Sequence, residues 1–182
     1  MKDTQTENEI RVFLASSSEL ELERAHVGDL FNDINSAIID TSTRVRLLKW
    51  EVFDPSFSGS RKQSEYDEQV KKADIFIVLY RSIAGKYTQE EVETAAASHG
   101  QNNKPEELHC LIQDYEGKRS FDVDELKANL GRLYNIDSFT DIQNLKHKIL
   151  KILSPRLKAC GIHVSETEKC IQIHSINILR KP

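Results

Sequence analysis

The chain has 182 residues and a formal net charge of −4, with 38% hydrophobic and 30% charged residues. No apolar run approaches the roughly 20 residues that a membrane helix needs, and the mild acidity disfavours a nucleic-acid binder because phosphates require a basic surface. The polar residues 1–8 are no signal peptide, and three scattered cysteines cannot close a disulfide framework. We therefore expect a cytoplasmic protein built around one domain with its own core.

Short apolar runs alternate with amphipathic stretches along most of the sequence. The patterns predict strands at residues 10–15, 45–51, 74–80, 108–112 and 136–139. They predict helices at 19–40, 64–72, 88–99, 123–133 and 141–153. Residues 74–80 are apolar without alternation, which is typical of a central parallel strand buried on both faces. The sequence thus predicts an α/β fold with a mainly parallel sheet.

The tail differs from this body. Residues 170–178 alternate with period two and predict a strand or hairpin arm outside the core, in a short C-terminal extension. We expect a flexible N-terminus at 1–9, a domain at 10–154, and an extension or linker at 155–182.

Ligands of parallel sheets bind beyond the carboxyl ends of the strands, so the loops after Ala15, Glu51 and Tyr80 should line the site. A helix begins near Thr88, the predicted N-cap, in a capping-box arrangement with Glu91. A carboxylate so placed could stabilise the oxocarbenium ion of glycosidic-bond cleavage or attack that carbon. It could equally be part of an acidic first turn that complements the helix dipole.

An ordered series of motifs resembles the TIR-like domains found at the N-terminus of bacterial signalling ATPases and immune receptors. The motifs are VFLASS (12–17), ER (23–24), WEVF (50–53), ADIFI (73–77) and GKYTQEEVETA (85–95). The resemblance implies a flavodoxin-like, five-stranded sheet flanked by helices, with sites formed between assembled protomers. Many bacterial relatives cleave NAD⁺ at the nicotinamide–ribose bond as effectors of antiviral defence.

The resemblance also implies a pattern on the helix: an aromatic residue, a catalytic Glu four positions on, and a small residue four further. Tyr87, Glu91 and Ala95 match this pattern. Tyr87 departs from the tryptophan usual in receptor-type members, and Glu93 is the alternative carboxylate.

The three loops offer further substrate contacts. Ser16 and Ser17 could bind ribose or phosphate oxygens, while Ser18 would cap the following helix. Trp50 and Phe53 could stack on adenine or nicotinamide, or lie in the core.

The remaining loop residues complete the predicted site. Phe57 could serve assembly. Tyr80 and Arg81 leave the central strand into the expected cleft, where Arg81 could pair with a diphosphate or remain solvated.

No metal site is predicted. Cys160 and His163 precede Cys170 and His174, but the last two lie ~13 Å apart on a strand, too far for one tetrahedral zinc. The sequence also lacks the glycine-rich phosphate loops of other nucleotide-binding folds.

Our first hypothesis is therefore a TIR-type NAD⁺ glycohydrolase that is activated by self-association and needs no cofactor beyond its substrate. Its partners would be NAD⁺ and other copies of the same domain. A C-terminal sensor or ATPase region, or a separate partner protein, could also bind it, but we expect no direct contact with nucleic acid or a membrane. The alternatives are a non-catalytic TIR-like interaction module and a nucleoside deoxyribosyltransferase-like enzyme.

Overall fold

A computed structural model describes residues 8–38, 42–48, 67–167 and 170–175. Five strands form one parallel sheet: β1 (Asn8–Ser16), β2 (Thr43–Leu48), β3 (Ile75–Tyr80), β4 (Glu107–Gln113) and β5 (Asn135–Phe139). Their order is β2-β1-β3-β4-β5. This is the doubly wound order of flavodoxin-like folds, so the predicted fold class is confirmed.

Helices connect the strands and cover both faces of the sheet. They are a 3₁₀ turn at Ser18–Leu20, α1 (Glu21–Ala37), α2 (Lys86–Asn102), α3 (Val123–Leu130) and α4 (Ile142–Ala159). Residues 67–72 are also helical. Among the described helices, none has the length and apolar character needed to cross a membrane.

The centre of the sheet is β3, whose six residues are all buried. Ile75, Ile77 and Leu79 belong to the core that includes α1 and α4. Phe76 and Val78 lie in the second core, beneath α2. Alternate residues of a strand point to opposite faces, so this unbroken apolar run serves both layers, as the sequence predicts.

The first turn of α2 starts earlier than its sequence suggests. Gly85 is the N-cap, with extended backbone, and Thr88 is buried inside the helix. The predicted Thr88 cap and its capping box with Glu91 are therefore wrong. The helix also continues past Gly100 to Asn102, and Asn103 ends it in the left-handed conformation (φ 52°) that asparagine tolerates well.

At Val45, the backbone of β2 is bonded by a side chain of α1. The Asn35 amide nitrogen donates to the Val45 carbonyl at 2.8 Å, and its amide oxygen accepts from the Val45 N–H at 2.9 Å. Both backbone groups of Val45 are thus satisfied without a further strand.

The C-terminal segment is more closely attached than predicted. The last helix runs through Pro155 to Ala159, although proline removes one helical hydrogen bond. Leu153 and Leu157 are buried on either side of that proline, and their packing holds the helix in register.

After this helix, β6 (Ile162–Thr167) and β7 (Cys170–Ser175) form an antiparallel hairpin. The hairpin predicted around residues 170–178 is thus confirmed, but its expected position outside the core is wrong, because Ile173 of β7 packs against the core that also buries Ile162 and Val164. The division of the chain at residue 154 stays a prediction.

Candidate functional site

The strand order reverses between β1 and β3, where one chain connection crosses to each side of the sheet. A crevice at such a switch point is the usual ligand site of this architecture. The loop after β1 and the loop after β3 meet there: the side chain of Ser17 lies 3.8 Å from the position of a Cβ on Gly85.

Glu91 lies on the buried face of α2, which also carries Thr88, Val92, Ala95 and Ser98. Its side chain is 8% exposed and forms no hydrogen bond or ion pair with another described residue. Burial raises the pKa of its carboxyl to about 8. The Arg24 guanidinium opposes that rise, while the charges of Asp67 and Glu90 add to it. A carboxyl whose pKa is raised this strongly is a candidate functional group.

Two neighbours on α2 differ sharply from Glu91. Tyr87 is 70% exposed and lies outside the buried face. Glu93, the alternative carboxylate, is exposed as well. Of these three predicted residues, only Glu91 has the desolvated environment that tunes a carboxyl for chemistry.

Arg24 connects α1 to the end of β1. Its guanidinium is 1% exposed, and its Nη1 donates to the Ser16 hydroxyl and to the Ser17 carbonyl, both at 2.7 Å. Ser16 and Ser17 are themselves buried. The two predicted serines therefore lie at the switch point, where Arg24 donates a hydrogen bond to the Ser16 hydroxyl.

A second carboxylate, that of Glu19, organises the loop after β3. Its Oε1 accepts from the backbone N–H groups of Ser82 (2.9 Å) and Ile83 (2.8 Å) and from the Ser17 hydroxyl (3.1 Å). Its Oε2 accepts from the Ser82 hydroxyl at 2.5 Å. Burial alone would raise the pKa of Glu19, but these hydrogen bonds outweigh burial and keep that pKa below its ordinary value.

Ser18 does not cap the helix that follows β1. The 3₁₀ turn is preceded by Ser17, whose hydroxyl bonds Glu19 instead of a backbone group. The predicted Ser18 cap is therefore wrong.

Arg81 is engaged by protein groups rather than open to a ligand. It bonds the carboxylate of Glu23 and the side-chain oxygen of Gln113, and its Nη1 donates to the Glu19 carbonyl at 3.2 Å. Arg119 holds the same region, donating to the carbonyls of Arg81 and Gln113, both at 2.9 Å. The expectation that Arg81 projects into an open cleft is wrong, because Arg81 pairs with the buried carboxylate of Glu23.

Tyr80 is 1% exposed, so it lies in the core and not in the expected cleft. Its ring lies against Phe121 with centroids 5.5 Å apart. Burial raises the pKa of the Tyr80 hydroxyl, and the charges of Cys110 and Glu91 add to that rise. Tyr80 thus belongs to the wall beneath α2, on the side where Glu91 is buried.

The loop after β2 cannot be compared with its prediction. Trp50, Phe53 and Phe57 lie outside the described residues. The same holds for the side chains of Cys170 and His174. Within the described part of the chain, no three His, Cys, Asp or Glu side chains are grouped to hold a metal ion.

Three residues of this network were not predicted as site residues: Glu19, Glu23 and Arg24. Glu23 and Arg24 share the buried stripe of α1 with Val27 and Leu30. Charged residues within an apolar helical stripe are the signal that could have identified them, because charges are rarely buried without a partner.

The buried pair makes a testable contribution to stability. Replacing Arg81 by methionine leaves Glu23, whose side chain is 5% exposed, without its cation. We expect the free energy of unfolding to fall by about 3 kcal/mol in urea denaturation. The double variant Glu23→Leu/Arg81→Met should regain part of that loss. A loss no larger than that of Arg44→Met, a matched change at an exposed arginine, would show that the pair is not stabilising.

No protein-family model matches the chain, and no curated protein matches it in sequence. Among solved structures, the chain is similar to BcmB, a CMP N-glycosidase of Clostridium botulinum. The TM-score is 0.52 at 16% identity, over 79% of this chain and 99% of that one.

It is also similar to an FMN-dependent NADH-azoreductase of Bacillus anthracis, with a TM-score of 0.48 and 9% identity, over 82% of this chain and 99% of that one. At these identities the likeness shows the fold alone. Neither protein is named as a TIR domain, so that resemblance stays a prediction.

Proposed function

We propose that this protein is an N-glycosidase that cleaves NAD⁺ at the nicotinamide–ribose bond, with Glu91 as its catalytic carboxylate. One observation carries the proposal. At the switch point of a doubly wound sheet, Glu91 is buried without a hydrogen-bonding partner among the described residues, and burial raises its pKa to about 8. Such a group gains most when a positive charge develops beside it, as at the ribosyl carbon of an N-glycosidic bond.

The chemistry can be written with its atoms balanced. The bond between the ribosyl carbon and the nicotinamide nitrogen breaks, and its electron pair leaves with nicotinamide, which becomes neutral. The carboxylate of Glu91 stabilises the ribosyl cation until water attacks, giving ADP-ribose and releasing one proton. Because NAD⁺ carries its positive charge at the reacting ring, its binding favours the ionised form of Glu91.

Other residues have supporting roles in this proposal. Ser16 and Ser17 contact ribose or phosphate oxygens, and the exposed ring of Tyr87 is available to stack on a base. Self-association, a C-terminal sensor and a cytoplasmic role in antiviral defence belong to the proposal through the TIR resemblance. Capture by an internal adenine or ribose group would give a cyclic product instead.

A second candidate is an N-glycosidase of nucleoside monophosphates. The fold is shared with nearly the whole length of a CMP N-glycosidase. A cytosine leaves as a poor anion unless it is protonated. A carboxyl with a pKa near 8 is protonated at neutral pH and could supply that proton.

The two candidates predict opposite pH profiles. Cleavage of NAD⁺ needs the carboxylate, so kcat/KM should rise with pH and level off above about 8. Cleavage of CMP needs the carboxylic acid, so kcat/KM should fall through the same pH. Chromatography of the products formed from each substrate, at a series of pH values and high protein concentration, measures both. Release of neither nicotinamide nor cytosine by clustered protein would reject catalysis and favour a non-catalytic interaction module.

A further inference from the structure

The loop after β3 presents a set of donors that suits an anion. The N–H groups of Ser82 and Ile83 point at one oxygen of Glu19, and the Ser82 hydroxyl donates to the other. The Ser17 hydroxyl, from the loop after β1, completes the set. Consecutive backbone N–H groups joined by hydroxyls are how proteins commonly hold phosphate oxygens.

The charges around this set also favour an anion. Arg81 donates to the Glu19 carbonyl, Arg119 to the Arg81 carbonyl, and Arg24 to the Ser17 carbonyl. Glu23, which pairs with Arg81, is a buried acid whose negative charge offsets part of these positive charges. If the Glu19 carboxylate swings away, the three arginines outnumber the acids Glu23 and Glu91, of which Glu91 interacts with Arg24, so an excess of positive charge remains.

We propose that the donors of Ser17, Ser82 and Ile83 form a binding site for a phosphate group of the substrate, which the Glu19 carboxylate occupies in the free chain. The proposal rests on the proposed function, in that a nucleotide supplies the phosphate. Glu19 lies in the single 3₁₀ turn Ser18–Leu20, so its side chain can leave without unfolding α1. Glu19 is then a competitor that the ligand must displace, and it lowers the apparent affinity.

Phosphate binding can be measured without turnover, which separates this proposal from the proposed function. The full chain is titrated with inorganic phosphate and with pyrophosphate at constant ionic strength, by calorimetry. We expect Glu19→Ala to bind pyrophosphate about tenfold more tightly than the wild type. Glu19→Gln, which keeps the shape but not the charge, should lie between them. Glu21→Ala is the matched control, because it removes an exposed carboxylate two residues away.

Amide chemical shifts of the wild type give a second measurement, which needs no variant to fold. On addition of pyrophosphate, the amide signals of Ser82 and Ile83 should be among those of the protein that shift most. Unmoved signals at saturation, or no binding at all, would overturn the proposal. So would a folded Glu19→Ala variant that binds no more tightly than Glu21→Ala.

Discussion

Replacing Glu91 by glutamine is expected to lower the rate of N-glycosidic bond cleavage at least about 100-fold, because the amide cannot carry the negative charge that faces the ribosyl cation. The change keeps the side-chain shape and fills the same buried position. The loss should therefore appear in kcat, with a smaller change in KM. Release of nicotinamide from NAD⁺, followed under clustering conditions, measures it.

Glu93→Gln is the matched control. Glu93 lies on the same helix, two residues away, but it is exposed. We expect this variant to retain activity close to that of the wild type. Equal activity in the Glu91 variant, or loss only in the Glu93 variant, would move the catalytic role away from Glu91.

The second large effect concerns stability and pH. The pKa of Glu91 is about 8 in the folded chain, above the ordinary value of 4.5. Below pH 4.5 the carboxyl is largely neutral in both the folded and the unfolded states, so it does not lower the free energy of unfolding there. As the pH rises towards 8, the unfolded chain ionises while the folded chain keeps the proton, and the wild type loses stability. Each unit of pKa difference corresponds to about 1.4 kcal/mol.

Glu91→Gln does not titrate and escapes this loss. We therefore expect its free energy of unfolding to exceed that of the wild type by about 4 kcal/mol at pH 8, with little difference near pH 4. Urea denaturation across this pH range measures the gap. Glu93→Gln should show no such trend. A gap that stays constant with pH would contradict the raised pKa of Glu91.

Local patterns were sufficient to predict the fold. The unbroken apolar run of β3 fixes a central strand, and helices between successive strands require parallel pairing. Boundaries were harder to predict, because they depend on tertiary contacts. Pro155 should end a helix by its local chemistry, yet the buried Leu153 and Leu157 carry α4 past it.

The site was predicted less completely than the fold. The TIR resemblance and the spacing of Tyr87, Glu91 and Ala95 singled out Glu91, but they did not predict its burial, since Tyr87 in the same pattern is 70% exposed. The environment of Arg81 was not predicted either, because its partner Glu23 is 58 positions away along the chain. Likewise, the Ser82 and Ile83 amides find Glu19 only after β1 and β3 pair. Pairings of this kind appear only once the topology is known.

The side-chain amide of Asn35 affects whether the edge strand β2 can pair with a strand of another copy of this chain. A strand added beside β2 would need the N–H and carbonyl of Val45, and both already bond to Asn35. A strand that pairs with Val45 must therefore first break these two hydrogen bonds. Covering the backbone groups of an edge strand is one of the means by which proteins limit edge-to-edge aggregation. We therefore expect Val45 to take no part in strand pairing between copies of this chain.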